Sequence, residues 1–160
     1  MAYQKLQVSR ALLVIPSDDT DIPFPGALAI TSATTGNAAN KLIDSAGDFI
    51  NKGVKIGDII YNYDNSEAAT VTNVDSATQL SVTLAAGITS GDDYKLYRSG
   101  QNNGCVLYVG TGGDLSVLTI GGDAAFYKAV PTGLFMPVQM LRVNASSGGT
   151  TSAADIIAQW

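Results

Sequence analysis

The sequence predicts an all-β protein: an antiparallel β-sandwich or jelly-roll-like outer domain that carries an inserted small β-barrel-like module. Two observations predict this class. Apolar residues recur at every second position in short runs such as "QLSVTL" (79–84), and a period of two is typical of half-buried strands. Helical signal is confined to "DSAGDFINKG", which is too short and too rich in glycine for more than a turn or two.

The strands follow one another along the whole chain. The first is "ALLVI", which ends at Pro16. Nine further alternating runs are separated by turn residues such as Asp, Asn and Gly. They are "DIIYNY", "ATVTNV", "QLSVTL", "YKLY", "CVLYV", "LSVLTI", "AAFYKAV", "VQMLRV" and "DIIAQW". Short strands at this spacing are typical of antiparallel sandwiches and barrels.

Two breaks in the strand pattern divide the chain. A Pro-rich turn at residues 23–26 interrupts it after the first strand, and "RSGQNNGC" interrupts it again. A single strand before the first break cannot form a sheet alone, and insertions are tolerated at exposed loops whose ends lie close together. We therefore predict a discontinuous outer domain of residues 1–26 and 101–160, with an inserted module of residues 27–100.

Composition and charge argue against several classes of function. The net charge is −5 and the nine basic residues are scattered, whereas nucleic-acid binding needs clustered Lys and Arg. The chain has no histidine, which removes Ser-His-Asp and Cys-His catalysis and most zinc sites. No apolar run approaches the ~20 residues of a membrane span, and "MAYQKLQVSR" lacks the apolar core of a secretory signal. We expect a soluble non-enzyme without cofactor, nucleic-acid or membrane partner, made in a cytoplasm.

The glycine-rich stretch "YVGTGGDLSVLTIGGD" (108–123) has three candidate interpretations. A phosphate-binding P-loop needs Gly-Lys-Ser/Thr at the start of a helix, but here the glycines precede Asp114 and an alternating run without lysine. Asp114 and Asp123 lack the ligand spacing of a calcium loop. Glycine doublets on either side of one short strand fit hairpin turns that require positive φ, so we predict hairpins.

Three further groups of residues have both a functional and a structural interpretation. The acidic cluster "SDDTD" (17–21) offers oxygens to a hard cation, but between two prolines we favour local side-chain turns. Cys105 lies in the apolar run "GCVLYV" and is expected to be a buried, unreactive thiol. Four tyrosines of the insert either stack on a sugar or pack in a core, and we favour the core; they are Tyr61, Tyr63, Tyr94 and Tyr97.

The two chain ends supply the candidate assembly contacts. In the N-terminal arm "MAYQKLQVSR", Leu6 and Val8 alternate with polar residues, while Tyr3 and Arg10 add an aromatic ring and a cation. We expect this arm to pair with a neighbouring subunit; the alternative is an arm added to this chain's own sheet. Trp160 ends the strand "ADIIAQW" and is expected to anchor it in a core or in a subunit contact.

Four stretches outside the insert carry a family resemblance: "ALLVIPSDDTDIP", "CVLYVGTGGDLSVLTIGGD", "AAFYKAVPTGLFMPVQMLRVNAS" and "GTTSAADIIAQW". Together they resemble the spike base proteins of tailed phages and gene transfer agents, a family of small virion proteins. Members have a strand leading into Pro-Ser-Asp, a glycine-rich hairpin, a proline–glycine–proline rhythm and a Thr-rich terminal strand. Pro131, Gly133 and Pro137 match that rhythm.

The insert is similar to a small β module that recurs in phage structural proteins. Simpler members of the spike-base family run from the Pro-rich turn almost directly into "LYVG", so the insertion departs from their pattern and leaves open whether this chain holds a spike or decorates a capsid. The positions that match the module's pattern are Gly53, Gly57, Asp58, Tyr61, Thr70, Val71 and Leu80.

The resemblance implies a virion structural protein on the capsid exterior, either a capsid decoration protein or a head-spike base, that acts through protein–protein contacts. The implied partners are the major capsid protein or vertex proteins, a spike or fibre protein, and further copies in a homo-oligomer, as a trimer or pentamer. In that setting the N-terminal arm pairs with a neighbour or with the capsid. Three alternatives stay open: a tail or baseplate component, a carbohydrate-binding module for host surface glycans, and a hydrolase built on carboxylates.

Overall fold

A computed structural model of the chain describes residues 8–160, and this part of the protein is all-β, as predicted. Its one helical segment is the 3-10 turn Pro25–Ala27. Twelve strands make up the rest of the regular structure. They are β1 Ala11–Leu13, β2 Leu28–Ala33, β3 Lys41–Ile43, β4 Ile59–Asn62, β5 Glu67–Val74, β6 Gln79–Val82, β7 Asp93–Tyr97, β8 Cys105–Thr111, β9 Gly113–Thr119, β10 Ala124–Val130, β11 Leu134–Val143 and β12 Ala154–Gln159.

The strands form two antiparallel sheets of six strands each. The first sheet has the order β1-β12-β8-β11-β9-β10 and takes its strands from both ends of the chain. The second has the order β2-β7-β4-β5-β6-β3 and takes its strands from the middle. Whether residues 27–100 fold as an independent module stays a prediction.

The second sheet curls without closing into a barrel. Its end strands are β2 and β3, and one isolated bridge links Gly36, just beyond β2, to Ile43 of β3. The Thr35 amide also donates to the Ile43 carbonyl at 2.8 Å. The sheet therefore bends until its two edges touch at one point, with no continuous ladder between β2 and β3.

The apolar side chains fill two cores that share strand β4. The first core lies against the first sheet and includes Leu107, Val109 and Leu115, but Ile59 and Tyr61 of β4 also belong to it. The second core lies within the second sheet, where it holds the intervening residue of β4. Its largest fully buried members are Tyr94, Phe49, Leu42, Ile60, Leu80, Ile88 and Leu96. All four residues of β4 are buried, because the two faces of this strand fill different cores.

The segment with weak helical signal forms turns rather than a helix. The Lys52 amide donates to the Asp48 carbonyl at 2.9 Å, which makes one turn, and Gly53 ends it at φ +67°. At the start of the segment, Asp44 Oδ1 accepts a hydrogen bond from the Ala46 amide at 2.8 Å. Within residues 8–160, no helix has the length and apolar character needed to cross a membrane.

The hairpin prediction for the glycine-rich stretch is right for its second doublet and wrong for its first. Gly121 and Gly122 form the turn between β9 and β10, with Gly122 at φ +89°. The first doublet, Gly112-Gly113, forms no hairpin because β8 and β9 each pair with β11, which lies between them. Glycine is required there by close packing, since a Cβ on Gly112 would lie 2.6 Å from the Val130 carbonyl oxygen.

Candidate assembly surface

The outer face of the first sheet carries a continuous line of apolar side chains across four adjacent strands. Antiparallel pairing sets Leu13 of β1 opposite Ile157 of β12. Ile157 in turn lies opposite Tyr108 of β8, and Tyr108 lies opposite Phe135 of β11. Directly opposed residues have Cβ atoms about 5 Å apart on the same face of a sheet. These four side chains therefore form one row, called the outer row below.

The outer row faces solvent because the chain neighbours of its members fill the first core. Successive residues of a strand point to opposite faces. The buried neighbours are Leu12, Ile156, Ala158, Leu107, Val109 and Met136. Leu13 is 49% exposed and Phe135 is 37% exposed, while Ile157 and Tyr108 between them are half-buried. Contiguous exposed apolar patches are found at contacts with other proteins or membranes and at ligand grooves.

The predicted strands contain Leu13, Tyr108 and Ile157, but "VQMLRV" begins after Phe135, and the row itself was not predicted. Leu13 and Ile157 lie near opposite ends of the chain, so their pairing depends on a register that no local pattern specifies. A usable signal was present in two strands. Tyr108 in "CVLYV" and Ile157 in "DIIAQW" occupy the alternate positions where a sheet with one solvated face would carry polar residues.

The predicted contacts of the N-terminal arm lie only partly within the structure. Tyr3 and Leu6 are outside the described residues, whereas Val8 and Arg10 are exposed. The Trp160 amide donates to the Arg10 carbonyl at 3.0 Å, and the Arg10 amide donates back to the Trp160 carbonyl at 3.3 Å. At Arg10 the chain therefore pairs with the end of its own last strand. For this part of the arm, this is the alternative in which the arm is added to the chain's own sheet.

The structure places the Trp160 side chain inside this chain's own packing. The indole is half-buried against the first core and meets Phe24 edge-on, with ring centroids 5.5 Å apart. Its Nε1 donates to Asn102 Oδ1 at 3.1 Å. Trp160 therefore holds the end of β12 against the segment that follows the second sheet.

The acidic cluster at residues 17–21 forms turns, and its carboxylates have separate partners. Asp18 Oδ1 accepts hydrogen bonds from the Ser146 and Ser147 amides, each at 2.8 Å, and the Ser146 hydroxyl donates to Oδ2 at 2.6 Å. The hydroxyl bond and the two amide bonds lower the pKa of Asp18 to about 2. Asp18 therefore acts as a clamp on the loop before β12.

The other two carboxylates of the cluster are engaged locally or in an ion pair. Asp19 Oδ1 accepts hydrogen bonds from the hydroxyls of Ser17 and Thr20, each at 2.9 Å. Asp21 accepts a hydrogen bond from Arg142 Nε at 2.8 Å. In the part of the chain that the structure describes, no group of three or more His, Cys, Asp or Glu side chains is arranged to hold a metal ion.

Most tyrosines of the insert and the Cys105 thiol lie in the two cores. Three of the four insert tyrosines are no more than 2% exposed, and burial raises the pKa of each; they are Tyr61, Tyr94 and Tyr97. Tyr63 is half-buried, and its hydroxyl donates to the Leu13 carbonyl at 3.0 Å. Cys105 is 1% exposed, and burial raises the pKa of its thiol to about 12. None of the three buried rings presents a face on which a sugar could stack.

Fold and surface together define an all-β protein of two antiparallel sheets with an apolar row on the outer face of the first. Comparison with models of protein families, with curated proteins and with solved structures finds no match to this chain.

Proposed function

We propose that this chain is a structural protein of a tailed-phage virion, located on the capsid exterior as a decoration protein or as the base of a head spike. The observation that carries the proposal is the outer row. Four paired strands hold its side chains at fixed positions on one sheet face, and an apolar surface of this kind is stabilised by burial against another protein.

The outer row lies in the same segments that resemble the spike base family. Leu13 belongs to "ALLVIPSDDTDIP", Tyr108 to "CVLYVGTGGDLSVLTIGGD", Phe135 to "AAFYKAVPTGLFMPVQMLRVNAS" and Ile157 to "GTTSAADIIAQW". In the proposed arrangement this face docks on the major capsid protein or on a vertex protein. The second sheet then projects from the particle and is available to a spike or fibre protein.

Of the alternatives, a tail or baseplate location is not separated from a capsid location by the structure, whereas the carbohydrate-binding function loses its main argument. A tail or baseplate component would use the same row, so only the position on the particle separates it from a capsid protein. The carbohydrate-binding alternative depended on exposed tyrosines in the insert, and only the half-buried Tyr63 of those four is accessible.

Purified virions test the proposal directly. Particles produced from the genome that encodes this chain are separated by density gradient and analysed by mass spectrometry, and cryo-electron microscopy then locates the chain. We expect it in the particle fraction, in contact with the capsid shell. Absence from particles would overturn the virion role. A position on the tail would show that the chain is a tail component and not a capsid protein.

Variants of the outer row test whether this surface makes the contact. Tyr108→Ser and Phe135→Ser, combined in one chain, should reduce attachment to particles that lack the native protein by at least about tenfold, equivalent to about 1.4 kcal/mol. Ile120→Ser is the matched control, because Ile120 is 43% exposed but lies in the β9–β10 turn, outside the row. Equal attachment of the row variant and the control would show that another surface binds.

A further inference from the structure

The loop from Phe49 to Asp58, called the tip below, presents the two most exposed large apolar side chains of residues 8–160. Ile50 is 60% exposed and Ile56 is 66% exposed. Two exposed cations, Lys52 and Lys55, lie between them in the sequence. The outer row does not include these residues, so the tip is a separate surface.

The tip is held in a fixed shape. Phe49 and Val54 are buried in the second core, at 0% and 7% exposure. Arg98 donates to two carbonyl groups of the tip and to Asp58 Oδ2, the last at 3.0 Å. The buried Asp58 carboxylate also accepts a hydrogen bond from the Lys55 amide at 3.0 Å. The two isoleucines are therefore exposed by a well-anchored loop, at a cost in hydrophobic free energy that contact with a partner would recover.

The tip is also the more basic end of the second sheet. Within residues 8–160 the only ion pairs involve Lys41, Arg98 and Arg142, so neither Lys52 nor Lys55 is paired there. The exposed carboxylate next to the tip is that of Asp48, which accepts a hydrogen bond from Asn51 Nδ2 at 2.8 Å. The chain as a whole has a net charge of −5, so the tip differs in sign from the protein that carries it.

The opposite end of the same strands is acidic. Strands β4 and β7 pair from Ile59 opposite Tyr97 to Asn62 opposite Tyr94. The tip precedes Ile59, and the turn after Asn62 meets the segment before Tyr94 about 13 Å away, which is the length of the four residues of β4 at about 3.3 Å of rise per residue. Four carboxylates meet there and are called the acidic end below. They are Asp64, Glu67, Asp92 and Asp93.

Hydrogen bonds hold these carboxylates close together. Asn62 Nδ2 donates to Asp92 Oδ2 at 2.8 Å and to Glu67 Oε2 at 3.2 Å, and the backbone amide of Asp93 donates to Asp64 Oδ2 at 2.8 Å. Burial raises the pKa of Glu67, and the negative charge of Asp92 adds to the increase. No ion pair within the described chain neutralises this group.

We propose that the tip of one copy of this chain docks on the acidic end of a second copy. Lys52 and Lys55 would lie against the acidic end, and the two isoleucines would cover the half-buried ring of Tyr63, which directly precedes Asp64. The one cation close to the acidic end in sequence, Lys95, lies over that ring at 5.6 Å. Two different surfaces meet in this contact, so repetition generates a ring or a filament. The contact is independent of the outer row and of attachment to particles.

Charge reversal in the full chain tests the contact. Sedimentation velocity measures self-association of the native chain at low and high salt, where screening should weaken it. Lys52→Glu with Lys55→Glu reverses the tip without touching the carbonyl and amide groups that anchor it, and Asp93→Lys reverses part of the acidic end. We expect each variant alone to associate at least about tenfold more weakly than the native chain. A mixture of the two should recover association between unlike chains, because the native tip of the Asp93→Lys chain then meets the native acidic end of the chain with the reversed tip.

Matched controls keep the test decisive. Lys128→Glu makes one such Lys-to-Glu change on β10, half the charge change of the tip variant, and the Tyr108→Ser, Phe135→Ser chain alters the outer row; both should associate like the native chain. Ile50→Ser with Ile56→Ser tests the apolar part of the tip without changing charge. A native chain that stays monomeric overturns the proposal. Unchanged association of the reversed variants, or no recovery in the mixture, overturns it as well.

Discussion

Asn102 Oδ1 accepts a hydrogen bond from the Trp160 indole nitrogen at 3.1 Å, so the segment that leaves the second sheet is tied to the end of the chain. The same oxygen accepts a hydrogen bond from the Gly104 amide at 2.9 Å, and Asn102 Nδ2 donates to the Ile22 carbonyl at 2.9 Å. The half-buried Asn102 side chain therefore joins the two segments that connect the sheets, one before β2 and one after β7, to the end of β12.

Replacement of Asn102 by alanine should destabilise the protein more than is usual for a residue that is only half-buried. Three partially buried groups lose their partner, and we expect the free energy of unfolding to fall by about 1–3 kcal/mol. Urea unfolding followed by tryptophan fluorescence measures this, since Trp160 is the one tryptophan of the chain. Asn103→Ala, at the exposed neighbouring position, is the control and should change stability by about 0.5 kcal/mol or less. Equal effects of the two substitutions would contradict the role of Asn102.

Gly112→Ala should be strongly destabilising although the position is not at positive φ. The added methyl group would lie 2.6 Å from the Val130 carbonyl oxygen and 2.8 Å from the Thr132 amide nitrogen, so backbone must move, at a cost of about 1–3 kcal/mol or more. Gly121→Ala is the control, because the nearest atom there lies 3.5 Å away. Thermal unfolding compares the two. A Gly112→Ala chain as stable as the control would show that the corner between β8 and β9 relaxes freely.

The clamp at Asp18 should make stability fall in acid. The pKa of Asp18 is about 2 in the folded chain, below its ordinary value of 3.8. A lowered pKa contributes stability that is fully present above the unfolded value and is lost as pH falls toward the folded value, here between about pH 4 and pH 2. Asp18→Asn should lower the urea midpoint at neutral pH and should narrow its difference from the native chain below about pH 3. Asp123→Asn, at an exposed turn position, is the control. If the urea midpoints of the Asp18→Asn chain and the native chain differed by the same amount at every pH, the clamp would be excluded.

The excised fragment 27–100 should fold around the second core. Its own strands complete that sheet, so we expect cooperative unfolding in urea. The fragment also uncovers Ile59, Tyr61 and Tyr97, which belong to the first core, so it should self-associate more readily than the full chain. Val82→Asp buries an unpaired charge in the second core and should abolish folding of the fragment. A disordered fragment with native Val82 would show that the two sheets fold only together.

Local pattern was sufficient for strands whose two faces differ in polarity. "AAFYKAV" coincides with β10, and "YKLY" and "QLSVTL" fall within a residue or two of β7 and β6. Two strands were not predicted. Leu28–Ala33 is an edge strand with one buried residue and Lys41–Ile43 has only three residues, so neither shows a clear alternation. Edge and very short strands depend on pairing with their neighbours more than on their own pattern.

Relationships between distant segments were beyond what the sequence could predict. The glycine doublet at Gly112 looks like a hairpin turn, and only the insertion of β11 between β8 and β9 shows that it is a packed corner. The tip and the acidic end are likewise ordinary loops in the sequence. Their position at opposite ends of β4 and β7 comes from the register of Ile59 with Tyr97.

The pairing of β1 with β12 has a consequence for synthesis of the chain. Among the described strands, β1 is synthesised first and its partner β12 is synthesised last, whereas every strand of the second sheet is complete once residue 97 has emerged. Contacts that are local in sequence form before those that close a long loop. The nascent chain therefore carries Leu12 and Val14, two residues of the first core, uncovered until β12 has been made. Co-translational assembly of the described strands begins with the second sheet and ends with the pairing of β1 and β12.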